Sequence, residues 1–255
     1  MFDLAAANMM LDTFVGSGAT AFDVTFIDID GDKRGFRAAQ TARQLRTSLL
    51  QLMPGLQERQ QNIIVRPRNY KVTFVQLDDL SSAQTESLIP VACLTLETSS
   101  GNHQASIAIA RDGISADARH TIDSDKDFAR RLRKGVGTDL TASGATRISG
   151  TPNFKRKYEP DFPTVKILQA APGRVATPAQ LEAMGIVAAP EPVHVAAATP
   201  FRVSSVGRSW PDYQRCVLGA PMKHGESKPD ISRADFFFQC FAPNGIGAFQ
   251  RSLTG

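Results

Sequence analysis

The segment Val72-Thr-Phe-Val-Gln-Leu-Asp-Asp-Leu80 combines a short apolar run with two adjacent carboxylates, Asp78 and Asp79. Valine, threonine and phenylalanine favour a β-strand. Neighbouring side chains of a strand point to opposite faces, so both carboxylates can face one metal ion only where the strand ends or bulges. We expect the strand to end at Leu77. Taken alone, an Asp-Asp pair is also typical of a surface turn.

Helices and strands are predicted to alternate on both sides of this segment. Period-two patterns predict strands over residues 21–28, 62–66, 72–77, 91–98, 104–110 and 165–168. Apolar residues at helical spacing predict a helix over 37–53, which Pro54 and Gly55 would end. Further helices are predicted over 82–88, 124–134 and 178–184, and the strands at 91–98 and 104–110 form a hairpin.

The composition sets limits on the class of protein. The chain has 255 residues, 42% of them apolar, which suffices for one large domain or a domain with an appendage. No run approaches the roughly 18 apolar residues that span a bilayer, and the N-terminus lacks a signal-peptide pattern. We therefore expect a cytoplasmic protein without a membrane segment. Cys93, Cys216 and Cys240 are far apart and indicate ordinary thiols rather than disulfides or a zinc site.

Positive charge is concentrated in one region. The chain carries a formal net charge of +4. Residues 126–157 contain nine Lys or Arg residues against two Asp, a balance that favours binding to polyanions such as nucleic acid. A solvated helix face followed by a charged loop would have the same composition.

Three separate segments supply candidate site residues. Asp78 and Asp79, joined by Asp139, could hold Mg²⁺ or Mn²⁺ together with substrate phosphates, although Asp139 could equally cap a helix. The remaining candidates are amide, imidazole and basic side chains that could contact a nucleotide or its phosphates: Asn102, His103, Gln104, Arg147, Asn153, Lys155 and Arg156. His103 could also be a simple turn histidine.

The three segments in this order resemble the RepB-like DNA primases of plasmids and mobile elements, distant relatives of the archaeo-eukaryotic primases and primase-polymerases. The resemblance is carried by Phe74-Val-Gln-Leu-Asp-Asp-Leu80, by residues 94–104, and by residues 138–155. It extends through Ser209-Trp-Pro-Asp-Tyr213 and Pro229-Asp-Ile-Ser-Arg-Ala-Asp235, and so covers most of the chain.

The resemblance implies an α/β (α+β) fold, with an RRM-like catalytic core of mainly antiparallel sheet flanked by helices and a short C-terminal helical appendage. It implies metal-dependent, template-directed synthesis of short primers on single-stranded DNA from nucleoside triphosphates, with a replicative helicase as a possible partner. Asp78, Asp79 and Asp139 would be the catalytic, metal-binding carboxylates. The Gly101–Gln104 turn and Arg147, Asn153 and Lys155 would surround the nucleotide or the template.

We expect a catalytic domain over residues 1–170, an Ala/Pro-rich linker over 171–200, and a C-terminal helical unit over 201–255. Pro243, Gly245 and Gly247 oppose the helix that relatives continue there, so we expect that unit to be truncated. Two alternatives remain. One is a non-catalytic replication protein that binds single-stranded DNA, and the other is an unrelated α/β domain whose Asp-Asp pair is a turn.

Overall fold

The computed structural model describes residues 2–111, 122–142 and 144–190. The chain divides into two units, residues 1–192 and 193–255, and every described residue belongs to the first. The helices are α1 (Leu4–Gly16), α2 (Ala42–Glu58), α3 (Ser82–Leu88), α4 (Ile122–Val136) and α5 (Pro178–Ala183). The strands are β1 (Ala21–Ile27), β2 (Lys33–Gln40), β3 (Asn62–Arg68), β4 (Val72–Leu80), β5 (Leu94–Ser99), β6 (Asn102–Ala110), β7 (Thr146–Arg147) and β8 (Lys166–Ala170).

These strands form two antiparallel sheets of four strands each. The first sheet has the order β2-β1-β3-β7, and the second has the order β4-β6-β5-β8. A two-residue strand, β7, forms the edge of the first sheet and pairs with β3 through Ile64–Arg147 and Val65–Thr146. The prediction of a mixed α/β fold with antiparallel sheet flanked by helices is therefore confirmed, with two sheets in the described part of the chain.

Two hydrophobic cores fix the layers. The first core joins α1 and α2 to one face of the first sheet, through residues such as Phe14, Phe22, Leu49 and Val65. It also includes Leu94 and other residues of β5 and β6, so the second sheet contributes one of its faces. The opposite face of the second sheet packs against α3, α4 and α5 through the second core, which includes Leu77, Leu88, Ile107, Leu132 and Leu181.

Three local predictions need correction. Helix α1 is not predicted, and residues 33–40 form an exposed strand on β1 rather than the start of a helix. Helix α2 begins at the Thr41 capping box and continues through Pro54 to Glu58. It continues because Met53 and Leu56, on both sides of the proline, are buried, and their burial offsets the lost backbone hydrogen bond.

The β4 segment also differs from its prediction. The strand does not end at Leu77 but runs to Leu80, and it contains a β-bulge. Leu77 pairs with Ala105 and Leu80 with His103, so β4 has one more residue than β6 between these two pairs. A β-bulge, like a strand end, allows the side chains of two adjacent residues to face the same place.

Residues 171–190, which fall in the predicted linker, include buried side chains. Ala176 and Leu181 are part of the second core, and helix α5 begins at Pro178 behind the Thr177 cap. The predicted C-terminal helical unit lies outside the described residues.

None of the described helices is long and apolar enough to cross a membrane. Cys93 is fully buried, and burial raises the pKa of its thiol to about 11.

The N-terminal helix depends on the loop that follows β7. The Asp3 amide donates to the Gly150 carbonyl at 2.9 Å, and the Gly150 amide donates to the Val165 carbonyl at 2.8 Å. The Ser149 hydroxyl donates to the Ala6 carbonyl at 2.7 Å. Gly150 has φ +78°, and a Cβ atom there would lie 2.2 Å from the Asp3 carbonyl oxygen. Only glycine fits at this crossing of the two segments.

Gly150→Ala is expected to destabilise the domain by about 2–4 kcal/mol, because it adds a clash with backbone to a left-handed conformation. The matched control is Gly185→Ala, which has φ +70° and no atom within 4 Å of the new Cβ. The control should cost about 1 kcal/mol, the conformational part alone. Urea unfolding followed by circular dichroism measures both. Equal losses in the two variants would contradict the close crossing at Gly150.

Candidate functional site

The bulge in β4 sets the positions of the two adjacent carboxylates. Asp79 has a left-handed backbone, φ +54°, which aspartate tolerates better than most residues. The Asn102 side-chain amide donates to Asp79 Oδ1 at 2.8 Å, and the Asp79 backbone amide donates to Asp78 Oδ1 at 2.9 Å. Asp78 is half-buried and Asp79 is exposed. Two carboxylates are thereby held next to each other at the end of the second sheet.

The side chain of Gln104 connects Asp78 to the first sheet. Its amide nitrogen donates to Asp78 Oδ1 at 2.7 Å, and its amide oxygen accepts from the Thr146 hydroxyl at 2.8 Å. Gln104 and Thr146 are both buried. Because Gln104 belongs to β6 and Thr146 to β7, this pair of bonds fixes the carboxylate relative to both sheets.

Two basic side chains lie beside these carboxylates without an ion-pair partner. Neither Arg147 nor Lys155 has a carboxylate within 4 Å among residues 2–111, 122–142 and 144–190. Burial lowers the pKa of Arg147, and the charges of Asp78 and Tyr158 partly oppose that shift. Burial and the neighbouring charge of Arg147 lower the pKa of Lys155. The site thus contains positive charge that is only partly compensated, and an anion would stabilise it.

Asn62 positions both Arg147 and the loop that carries Lys155. Its side-chain oxygen accepts from Arg147 Nε at 3.1 Å and from the Phe154 backbone amide at 2.9 Å. Its side-chain nitrogen donates to the Phe154 carbonyl at 2.7 Å. The fully buried Asn62 therefore uses both ends of its amide to hold the basic residues in place.

Asn153 and Tyr158 attach the same loop to the second sheet. The Asn153 amide nitrogen donates to the Thr98 carbonyl at 2.8 Å, and the Tyr158 hydroxyl donates to Ser99 Oγ at 2.7 Å. Next to this attachment lies an open cleft of about 490 Å³, lined by Ser99, Gly101, Asn102, Lys157 and Tyr158 among others. Since Asn102 also binds Asp79, the cleft begins beside the carboxylates.

Two of the predicted site residues have other partners. His103 is buried on the opposite face of β6, where its Nδ1 lies 3.2 Å from the Thr85 hydroxyl of α3. Arg156 makes a bidentate pair with Asp30 in the β1–β2 turn, at 2.6 and 2.8 Å. This pairing lowers the pKa of Asp30. The structure does not bring His103 or Arg156 to the carboxylates.

Asp139 lies in the turn after α4. Its carboxylate accepts from the Thr141 backbone amide at 2.8 Å and from the Thr141 hydroxyl at 2.7 Å, and these bonds lower the pKa of Asp139. Arg133 is its charged neighbour. Within the described part of the chain, no group of three or more His, Cys, Asp or Glu residues is placed to hold a metal ion. Asp78, Asp79 and Asp139 therefore do not form such a group in this structure.

The pair Asp78 and Asp79 nevertheless has the chemistry that Mg²⁺ uses. Each carboxylate engages one oxygen, Oδ1, in hydrogen bonds, and neither Oδ2 is bonded to another described residue. Magnesium is usually bound by one or two carboxylates together with waters and substrate phosphates. The donor set therefore fits a divalent cation that a phosphate ligand would help to hold.

Several residues of this cluster were not predicted from the sequence. Asn62, Thr146 and Tyr158 contact Arg147, Gln104 and Ser99, respectively. In the sequence, Asn62 is a polar residue at the start of an apolar predicted strand. A polar residue there, if buried, must find hydrogen-bond partners, and this is the one sequence signal that could have indicated its role at the site. Nothing in the local pattern distinguishes Thr146 or Tyr158 from ordinary surface residues.

The family described as the RepB DNA-primase N-terminal domain matches residues 28–185. Among solved structures, the chain is similar to the primase RepB′, with 20% identity, a TM-score of 0.50, and coverage of 71% of this chain and 62% of that chain. The chain thus spans less than two thirds of that protein. No curated protein matches.

Two further structures are similar over about the same part of this chain. The catalytic domain of primase RepB′ in complex with initiator DNA has 20% identity and a TM-score of 0.48, and 70% of this chain and 93% of that chain are covered. The AEP domain of the cyanophage S-2L primase-polymerase has 13% identity and a TM-score of 0.46, with 72% and 98% covered.

Gln104→Met is expected to destabilise the domain by about 1–3 kcal/mol, because it keeps the side-chain volume but leaves the buried Thr146 hydroxyl without its acceptor. The matched control is Gln169→Met in β8. The Gln169 amide oxygen is buried and has no hydrogen-bond partner among the described residues, and its amide nitrogen donates only a long, exposed bond of 3.4 Å to the Ile89 carbonyl. Loss of this side-chain amide should therefore cost less. The urea concentrations at the unfolding midpoints of the two variants are compared. If the control variant is as unstable as Gln104→Met, the bridging role of Gln104 is refuted.

Proposed function

Because the chain belongs to the RepB DNA-primase N-terminal domain family, we propose that it is a metal-dependent nucleotidyltransferase that synthesises short primers on a single-stranded DNA template. The observation that carries the proposal is that two adjacent carboxylates lie near two basic side chains that make no ion pair with a described residue. Asp78 and Asp79 are adjacent, and the charge of Asp78 acts on both Arg147 and Lys155. Nucleotidyl transfer needs both kinds of group in one place.

In this proposal Asp78 and Asp79 hold Mg²⁺ or Mn²⁺ through their Oδ2 atoms. A bound divalent ion would activate the attacking hydroxyl and stabilise negative charge on the phosphates. The chain's own contribution is to orient the two carboxylates before substrate arrives. Gln104 and Asn102 orient them by donating hydrogen bonds to the Oδ1 atoms of Asp78 and Asp79, respectively. The Oδ2 atoms then remain available to a metal ion.

Arg147 and Lys155 would bind the phosphates of the incoming nucleoside triphosphate. The Arg147 guanidinium is held by Asn62 through Nε, and its two terminal nitrogens make no hydrogen bond to another described residue. A planar guanidinium with free nitrogens suits bidentate binding of phosphate oxygens. The cleft beside Asn102 and Tyr158 is of the size that small-molecule ligands occupy, and we assign it to the nucleoside.

In this proposal Asn153, His103 and Arg156 do not contact the nucleotide directly. Asn153 acts through the backbone it holds, and Arg156 through its pair with Asp30. Replication of a plasmid or mobile element and a helicase partner belong to the same proposal and rest on the family resemblance. Cytoplasmic location and the division at residues 170 and 200 are also proposed, and they rest on the composition of the sequence.

A second candidate is a replication protein that binds single-stranded DNA without catalysing synthesis. It is favoured by the position of Asp139, which lies in its own turn and is not grouped with Asp78 and Asp79. The unpaired basic side chains would serve binding alone in that case. The two candidates differ in whether nucleotides are incorporated.

Asp78→Asn should reduce primer synthesis on single-stranded DNA by more than about a hundredfold, because the amide cannot hold a hard cation as the carboxylate does. The assay is incorporation of labelled nucleotide in the presence of Mg²⁺ or Mn²⁺. Asp12→Asn, an exposed carboxylate paired with Arg46 on the helices, is the matched control and should keep full activity. Undiminished synthesis by Asp78→Asn would overturn the proposed site, and absence of synthesis in the native protein, with DNA binding intact, would favour the second candidate.

Asp139→Asn tests the third carboxylate separately. Asparagine keeps an oxygen that can accept from the Thr141 amide, so the turn should persist while the charge is lost. If Asp139 contributes a charge to the reaction, as the family resemblance implies, synthesis should fall at least about tenfold. Thr141→Val is the control, since it removes only the hydroxyl bond to Asp139. Wild-type synthesis by Asp139→Asn would remove Asp139 from the proposed catalytic set.

A further inference from the structure

The first sheet has a face that no described helix covers. Helices α1 and α2 pack on the face that carries Phe22, Val24, Ile63 and Val65. On the other face, which we call the open face, one row of directly paired residues crosses all four strands: Phe36, Thr25, Ile64 and Arg147. Directly opposed residues of antiparallel strands point to the same side of a sheet. The row spans three strand spacings, roughly 14 Å.

The open face carries basic side chains without a carboxylate partner in the described part of the chain. Lys33 lies with its Nζ 4.4 Å from the centre of the Phe36 ring and makes no ion pair with a described residue. Arg66, opposite Asp23, is half-buried and makes no ion pair with a described residue. Asp23 instead pairs with Arg68 at 2.6 Å. The charge of Arg66 is therefore available to an anion at this face.

An aromatic ring lies among these cations. The Phe36 side chain is 50% exposed in the middle of β2, and Ile64 and Thr25 next to it in the row are half-buried. Rings on an exposed sheet, surrounded by unpaired Lys and Arg, offer a stacking surface for bases and phosphate contacts for the backbone. Bases of a duplex are already stacked and paired, so a ring of this kind favours an unpaired strand.

The row ends at the candidate site. Arg147 closes it on β7, and the charge of Asp78 acts on Arg147. We propose that the open face binds the single-stranded DNA template and leads it across β2, β1 and β3 toward Asp78. Phe36 stacks on a base, while Lys33 and Arg66 contact phosphates. This inference rests on the proposed function for the identity of the strand, but the binding surface itself can be tested without catalysis.

The experiment measures binding of a fluorescently labelled oligothymidylate of about 20 nucleotides to the full chain by anisotropy, without metal ions or nucleotides. Phe36→Leu and Arg66→Gln should each weaken binding roughly tenfold, from loss of one stacking and one phosphate contact. Phe36→Trp, which keeps a ring, should bind as well as the native chain or better. Arg66→Gln should also lower the dependence of affinity on salt, by about 0.7 in the logarithmic slope.

Two matched controls lie away from the open face. Tyr70→Leu removes an exposed ring that also has a lysine beside it, Lys71, but in the turn between β3 and β4. Arg46→Gln removes an arginine that pairs with Asp12 on the helices. Both controls should bind the oligonucleotide as the native chain does. A thermal unfolding curve for each variant confirms that the fold is retained.

The outcomes separate the inference from the proposed function. Native affinity in Phe36→Leu and Arg66→Gln overturns the inference, whether or not the protein synthesises primers. Equal losses in these variants and in the Tyr70→Leu and Arg46→Gln controls would also overturn it. Weakened binding in the open-face variants alone supports it. If that result is accompanied by native binding and no synthesis in the wild-type protein, the binding surface stands and the proposed catalysis fails.

Discussion

A single glutamine side chain joins the two sheets where the carboxylates lie. Gln104 donates to Asp78 in the second sheet and accepts from Thr146 in the first. The bond to Thr146 is buried and the bond to Asp78 is partly buried, so each is stronger than at a surface, and a missing partner would be costly. The shared hydrophobic core packs the sheets together, and this amide ties Asp78 to the first sheet at the place where Arg147 follows Thr146.

The positive charge of Arg147 and Lys155 is only partly compensated by the described residues around them. Burial lowers the pKa of both Arg147 and Lys155, which means that the fold disfavours their charged forms relative to water. A domain selected only for stability would place a carboxylate within ion-pairing distance of the half-buried Arg147 or leave that side chain in solvent. A half-buried arginine beside an exposed lysine, both near Asp78, is the pattern that functional sites display when a negatively charged ligand completes them.

The sequence predicts the elements whose patterns are local and fails where distant contacts decide. The hairpin of β5 and β6, the cap of α3 at Ser81 and the short helix behind Pro178 follow from alternation and capping residues. Strand β2 has no alternation, because both its faces are exposed, and it exists through pairing with β1.

The same difference between local patterns and distant contacts applies to the candidate site. The adjacent carboxylates and the basic residues could be chosen by residue type. Their grouping depends on a bulge, on Asn62 and on Thr146. Asn62 makes contacts with residues as far away in sequence as Phe154, 92 residues later. The opposite direction of His103 follows from strand alternation once the register of β6 is known, and the register was not available from the sequence.

The crossing of Asp3 with Gly150 bears on how the domain forms during synthesis. Helix α1 is synthesised before the other described elements, yet its partners at residues 149–150 and in β8 are synthesised about 150 residues later. At a translation rate of roughly 5–20 residues per second, that delay lasts on the order of ten seconds. During this time the apolar face of α1, with Met10, Leu11 and Phe14, lacks those partners. The nascent chain is therefore open to chaperone binding or premature association for that interval, and the domain can close only after β8 has left the ribosome.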